Sequence, residues 1–302
     1  MKHLFIFNPR SLPEGKQRNA LLDRIREKCR ALDYEIYFST SGEDAQRKAR
    51  EACAQGKEIC VYAGGGDGSI RQIAQALYGH ENAVLSAVPV GTGNDFVRNF
   101  GGQKRFLELE HITDGEEMPI DLIRAGDYIC ANMINIGFDA SVVSRVEKLR
   151  SLPLMGRSVA YTVGLIIQLF RFPKEKLHIC INGEEIHQPF LLTYIANGQY
   201  CGGGYRSASK AKLNDGLLDV MSIKPLSRLQ FLQLVGSYKN GTLLGKEQYR
   251  PLYRFFKTHA LSLHKDTPFT ACLDGEIMPF TKLNIQVIEH AIRFKYPKGA
   301  VK

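Results

Sequence analysis

Three glycines and an aspartate, Gly64-Gly65-Gly66-Asp67-Gly68-Ser69, stand between a short apolar run, Ile59–Ala63, and an amphipathic one, Ile70–Tyr78. Ile70, Ile73, Ala74 and Leu77 recur at helical spacing, so the chain is expected to leave a strand, turn tightly and enter a helix. The same alternation runs through the first third. Leu4–Phe7 reads as a strand, Lys16–Ala31 as a helix with Leu21, Leu22, Ile25 and Cys29 near one face, and Glu35–Phe38 as a strand. Glu43–Gln55 then reads as a helix and Val84–Val90 as a strand. Strands and helices alternating through short loops predict a parallel, doubly wound sheet.

Glycines let backbone N–H groups approach phosphate oxygens, and a helix N-terminus favours negative charge. Asp67 would then stand where a metal, or a metal-bound water, sits beside those phosphates. A tight turn with Asp67 or Ser69 as helix cap is the alternative. A second loop, Pro89-Val90-Gly91-Thr92-Gly93-Asn94-Asp95-Phe96, also follows an apolar strand and carries a hydroxyl and a second carboxylate. An Asn-Asp turn would account for it as well. In a parallel α/β sheet both loops fall at the carboxyl ends of strands, where such folds bind ligands. Neither loop is a Walker A or a G-x-G-x-x-G motif.

Beyond about residue 120 strand-like runs predominate: Ile120–Ala125, Ile129–Ile136, Leu177–Ile181, Phe190–Ala196, Leu217–Ile223, Phe269–Leu273 and Leu283–Ile288. Turn signals at 125–127, 182–184 and 215–216 separate several of them, which predicts an antiparallel, β-rich second domain. Helical patterns at Ala140–Leu149, Ser158–Phe172 and Ser227–Tyr238 interrupt it. The boundary is expected near residue 121. Residues 1–121 would form the first domain, and the residues that follow the second.

A chain of 302 residues is long enough for two such domains. Its net charge of +9 suits an anionic partner, whether nucleotide phosphates, an acidic membrane or nucleic acid. No zinc-finger or RNP motif and no long basic run supports nucleic acid. The seven cysteines are scattered without a C-x-x-C pair, which argues against a zinc site or disulfide framework and fits a reduced, cytoplasmic enzyme. Leu4–Phe7 is too short for a signal-peptide core. Val159–Phe172 spans 14 residues, short of the ~20 that cross a bilayer.

Gly65-Gly66-Asp67-Gly68-Ser69 resembles the G-G-D-G-T signature of the diacylglycerol kinase catalytic domain family, which includes bacterial lipid kinases, sphingosine kinases and ceramide kinases. Gly91-Thr92-Gly93-Asn94-Asp95-Phe96 is similar to its G-T-x-N-D-F segment. Asn135–Ala140, Asn214–Asp219 and Leu273-Asp274-Gly275-Glu276 resemble its later G-x-G-x-D-A, D-D-G-x-x-D/E and D-G-E segments, in family order over nearly the whole chain. The resemblance implies an N-terminal α/β domain like that of NAD kinases and phosphofructokinases, a β-sandwich-like C-terminal domain, and a last strand around Ala291–Tyr296 returning to the first, so that residues 290–302 would join residues 1–121 and residues 122–289 would form the second domain.

It further implies an ATP- and Mg2+-dependent kinase of a lipid hydroxyl, with diacylglycerol to phosphatidic acid as the expected reaction. Gly65, Gly66, Asp67, Gly68, Ser69, Ile70 and Arg71 would line the ATP phosphates, with Asn8, Thr40 and Thr92 also contacting nucleotide. Asp67 and Asp95 would organise the catalytic magnesium. Asp215, with the carbonyls of Lys212 and Leu217, would hold a structural one. Glu276 would be the general base. Arg71 and Gln72 replace a usual Asn and Glu, so Arg71 either contacts phosphate or faces solvent. Asn214 replaces the first Asp of D-D-G, and extra residues separate Ser11 from Gly15-Lys16.

Three alternatives stay open: a kinase of another lipid, such as phosphatidylglycerol or a sphingoid base; a non-lipid, NAD kinase-like enzyme; and an inactive nucleotide- or lipid-binding regulator. Arg145, Lys148, Arg150 and Arg157 precede the apolar stretch, and Arg171, Lys174 and Lys176 follow it. A basic rim of this kind suits peripheral contact with the anionic inner face of a membrane, and an ordinary core helix with charged ends explains it equally. The resemblance also allows a homodimer.

Overall fold

The computed structural model describes residues 1–137 and 176–300. The helices expected at Ala140–Leu149 and Ser158–Phe172, and every member of the basic rim except Lys176, lie outside the described residues. The chain forms two compact units. The first comprises Met1–Leu122, Leu213–Asp215 and Ile288–Lys302; the second comprises Ile123–Lys212 and Gly216–Val287.

The first unit is built on β1 (Lys2–Phe7), β2 (Tyr34–Phe38), β3 (Ile59–Gly65) and β4 (Ala83–Pro89), with α1 (Gly15–Lys28), α2 (Gly42–Cys53) and α3 (Asp67–Leu77) between them. Strand β2 pairs with β1, β1 with β3 and β3 with β4, all parallel. Every residue of β3 and β4 is buried, as expected of parallel strands covered on both faces. Arg293 and Phe294 extend this sheet by pairing parallel to Val84 and Leu85. The strand order therefore reverses between β1 and β3, and the loops leaving their carboxyl ends flank that switch point.

Side chains from helix and sheet close the core, among them Phe5, Phe7, Leu22, Ile25, Tyr62, Val84 and Val88. Helix α2 turns Ala45, Ala49, Ala52 and Cys53 inward and is capped by Ser41, whose Oγ accepts the Asp44 N–H at 3.1 Å. After the short α4 (Gln103–Leu107), His111 is fully buried and its Nε2–H donates to the Ala87 carbonyl at 3.2 Å. Its Nδ1 has no partner. Burial draws the His111 pKa down to about 4, and His3 is likewise lowered to about 4, chiefly by burial.

An imidazole with a depressed folded pKa binds fewer protons folded than unfolded. Its contribution is therefore complete above the unfolded pKa, about 6.5, and is lost as the pH falls from there toward 4. His111 alone is expected to remove about 2 kcal/mol of stability between about pH 7.5 and pH 5. Urea midpoints at the two pH values test this, and His111→Gln should flatten the dependence.

The second unit is antiparallel. Its main sheet runs β12 (Tyr253–Thr258), β11 (Leu218–Ile223), β10 (Leu192–Ala196), β7 (Met133–Gly137), β13 (Ala260–Leu273) and the first part of β14 (Glu276–Pro297). Strand β8 (His178–Ile181) joins β13 and carries β9 (Glu184–Ile186) on its other edge. Strand β5 (Gly115–Ala125) pairs with β6 (Tyr128–Cys130). One core gathers Ile134, Ile136, Ile179, Val220, Leu263 and Leu273. Another gathers Tyr194, Met221 and Tyr253 with Phe231, Leu234 and Tyr238 of α5 (Arg228–Lys239).

Three expectations need correction. The run Ile129–Ile136 is two strands, because the backbone N–H groups of Ala131, Asn132 and Met133 are taken by the Asp274 carboxylate at 2.6, 3.1 and 2.8 Å. Leu283–Ile288 and Ala291–Tyr296 belong to one 22-residue strand. Within it His290 takes a left-handed φ of 47° and donates its N–H to Asp121 Oδ1 at 2.8 Å. Strands β9 and β12 were not expected, since charged residues interrupt their apolar pattern (Glu184-Glu185-Ile186; Tyr253 to Thr258).

Candidate functional site

The chain leaves β1, β3 and β4 at the carboxyl edge of the first unit's sheet. After β1, the Asn8 N–H donates to the Gly64 carbonyl at 2.8 Å, and Asn8 Oδ1 accepts the Arg10 N–H at 3.0 Å. After β3, α3 begins at Asp67, three residues earlier than the apolar periodicity alone indicates. Gly66 holds the cap position in extended conformation, and no side chain occupies its cap hydrogen bond. Its carbonyl accepts the N–H groups of Ser69 and Ile70 at 2.9 and 3.2 Å.

The loop after β4 folds back on the first. Val90 and Gly91 both donate N–H bonds to the Gly65 carbonyl, at 3.0 and 3.1 Å. A Cβ on Gly91 would overlap the Gly66 Cα and lie 2.7 Å from the Gly66 nitrogen. Backbone therefore touches backbone, and only glycine permits it. Asn94 turns the loop with a left-handed φ of 50°, its Nδ2 donating to the Gly91 carbonyl at 2.8 Å. Phe96 anchors it by packing edge-on to Phe294, with ring centroids 5.0 Å apart.

Two carboxylates meet at this contact. A Cβ on Gly93 would lie 3.0 Å from Asp67 Oδ2 and 3.5 Å from Asp95 Oδ2. Asp67 Oδ1 accepts the Phe96 N–H at 2.8 Å, which ties the second loop to the start of α3. Asp95 is buried, with Oδ1 3.3 Å from Arg98 Nε. Burial raises the Asp67 pKa, a trend that the N–H bonds and the Arg98 charge only partly oppose. Two clustered carboxylates, one of them disfavoured as an anion by its surroundings, form a donor set of hard oxygens that fits Mg2+.

The other expected nucleotide residues divide. Ser69 packs against Gly65, and Ile70 is buried in the core face of α3. Arg71 is 3% exposed, so the solvent-facing alternative for it is wrong. Thr92 is exposed at the tip of its loop. Thr40 is exposed before α2, where its N–H donates to Asp44 Oδ2 at 2.9 Å. That N–H, with Arg47 and Tyr37, holds the Asp44 carboxyl down to about 2. The structure thus brings together Asn8, Gly65, Gly66, Asp67 and Ser69 with the 91–96 loop.

Asp215 is partly exposed in the first unit, while Lys212, exposed, and Leu217, partly exposed, belong to the second. The segment they begin ends on Asp219, which is fully buried and pairs with Lys257 Nζ at 2.9 Å. Glu276 opens β14 in the second unit, partly exposed and paired across the turn with Leu273. That turn is held by Asp274, whose carboxylate collects the three N–H groups described above. Asp274 has a φ of 46° and Gly275 one of 94°.

Sequence reasoning gives Asp274 no role beyond its place in the D-G-E segment, and it passes over Asp121 altogether. Asp121 is fully buried; its N–H donates to the Leu213 carbonyl at 2.6 Å and its carboxylate holds the His290 N–H. A lone carboxylate inside the apolar run Ile120–Ala125 is the signal that could have marked it. Among the described residues no three His, Cys, Asp or Glu side chains converge as a ready metal cluster, and no helix is long and apolar enough to cross a membrane.

Comparison with known proteins agrees with this architecture. Residues 2–125 match the diacylglycerol kinase catalytic domain, and residues 132–295 match the YegS C-terminal NAD kinase beta sandwich-like domain. A probable lipid kinase YegS-like protein of Alcanivorax borkumensis is 28% identical over 300 residues, covering 99% of this chain and 97% of that protein. One from Pseudomonas aeruginosa is 31% identical, covering 85% of this chain and 82% of its own. A putative diacylglycerol kinase from Bacillus anthracis shares the fold with a TM-score of 0.76 at 22% identity, covering 100% of this chain and 98% of its own. With both family domains matched in order, and relatives aligned nearly end to end, the chain belongs to the YegS-like lipid kinases of the diacylglycerol kinase family.

Proposed function

We propose that this kinase transfers the γ-phosphoryl group of ATP to a lipid hydroxyl in a magnesium-dependent reaction, converting diacylglycerol to phosphatidic acid. The observation that carries the reading is the contact of the two glycine loops, which gathers the Asp67 and Asp95 carboxylates around Gly93 at the N-terminus of α3. Phosphoryl transfer needs mainly positioning and charge neutralisation.

The N–H groups at the start of α3 would bind the phosphate oxygens. Asn8 lies against the same turn, with its Cβ 3.7 Å from where a Gly65 side chain would begin. Thr40, Thr92 and Arg71 complete the proposed nucleotide set. Asp67 and Asp95 would hold Mg2+, which when bound neutralises negative charge on the phosphoryl oxygens. A second cation is assigned to Asp215 with the carbonyls of Lys212 and Leu217, an all-oxygen set of the kind Mg2+ accepts. The Glu276 carboxylate would take the proton from the lipid hydroxyl as that oxygen attacks. In this division of labour residues 1–121 with 290–302 bind ATP and residues 122–289 bind the lipid.

The test is transfer of label from γ-phosphate-labelled ATP to a panel of diacylglycerol, phosphatidylglycerol, sphingosine and ceramide in mixed micelles, with and without Mg2+. Label is expected in diacylglycerol, only with Mg2+, and reduced at least about 100-fold in Asp67→Asn. Label in another lipid reassigns the substrate. Water-soluble label alone, or ATP binding without any transfer, overturns the reading.

A further inference from the structure

Leu229 and Leu232, 67% and 62% exposed, are the most exposed large apolar side chains among the described residues. They lie one turn apart on α5, whose opposite face, Phe231, Leu234 and Tyr238, is buried in the second unit. At about 100° per residue they share the outer face with Gly236, bordered by Arg228 and Lys239. Leu229, Leu232, Gly236, Arg228 and Lys239 are all exposed.

Two further observations bear on what meets this face. Between Asp219 and Glu247 the chain has no acidic residue and four basic ones, Lys224, Arg228, Lys239 and Lys246. The helix is also held firmly at its start by a reciprocal cap. Ser227 Oγ accepts the Gln230 N–H at 3.3 Å, and Gln230 Oε1 accepts the Ser227 N–H at 2.9 Å. A firmly capped helix with apolar side chains outward, in a stretch of chain whose charges are all positive, has the character of a segment that lies in a lipid–water interface.

We propose that this face of α5 docks the chain on an anionic lipid bilayer, with Leu229 and Leu232 entering below the headgroups and Arg228 and Lys239 meeting lipid phosphates. The charge favours a membrane over a second copy of the chain. A twofold contact would set this face against itself and bring the two basic borders together. The benefit to catalysis rests on the lipid-kinase reading, since a membrane-embedded substrate must be reached from the bilayer surface.

The experiment is co-sedimentation of the full chain with phosphatidylcholine vesicles and with vesicles of phosphatidylcholine and phosphatidylglycerol. The wild type is expected to partition onto the anionic vesicles and to be released by raised salt. Leu229→Gln/Leu232→Gln should weaken partitioning at least about tenfold with an unchanged melting temperature. Gly236→Leu, at a position where a Cβ meets nothing within 4 Å, should strengthen it by about threefold or more.

Equal partitioning of the wild type and the double variant overturns the proposal. A double variant that changes from dimer to monomer without losing vesicle binding assigns the face to a second copy instead. Labelling of dispersed short-chain diacylglycerol separates the two readings. If that lipid is labelled while the leucine changes leave vesicle binding intact, the docking proposal fails alone. If no lipid is labelled while vesicle binding follows the leucines, the kinase reading fails alone.

Discussion

Glu276→Gln is expected to lower kcat for lipid phosphorylation by about 100- to 10,000-fold while leaving the dissociation constant for ATP within about twofold. Glutamine keeps the size and hydrogen-bonding reach of the side chain but cannot accept a proton at neutral pH. The scaffold beneath it should not move. The turn before Glu276 is fixed by Asp274, whose carboxylate binds the N–H groups of Ala131, Asn132 and Met133. An unchanged melting temperature combined with collapsed turnover would identify a chemical role. Equal kcat in the two proteins would remove Glu276 as the base, and a parallel loss of stability and activity would make it a structural residue.

Gly91→Ala is expected to destabilise the chain by about 3 kcal/mol and to abolish ATP binding. The new methyl would overlap the Gly66 Cα and lie 2.7 Å from the Gly66 nitrogen and 2.9 Å from Asn94 Oδ1. None of these atoms can yield easily. Gly66 opens α3, and the N–H groups of Val90 and Gly91 are both bonded to the Gly65 carbonyl. Separating the loops would pull the Asp95 carboxylate away from Asp67 and break the Phe96 N–H bond to Asp67. Gly245→Ala is the control, because a Cβ there meets nothing within 4 Å. Denaturant melts and nucleotide titration read both variants. A Gly91→Ala protein with wild-type stability and ATP affinity would mean that the loop contact is dispensable.

The sequence alone determined the alternation of strand and helix through α3, the loops in which the glycines and carboxylates stand, and the class of the second unit. Those features depend on near neighbours: the period of apolar side chains, the freedom of glycine, and the position of a loop after a strand. Tertiary structure alone decided the rest, through partners that are distant in the chain. Asp274 splits the run 129–136 by capturing N–H groups more than 140 residues away, and no local periodicity encodes such a bond. Residues 283–288 and 291–296 run on as one strand through the left-handed His290, whose N–H is held by Asp121 from a distant part of the chain. Arg71 has the composition of a surface residue, yet the packing around α3 buries it. Gly66 and Gly91 each read as a flexible turn residue, and only the folded sheet makes each one the wall against which the other must fit.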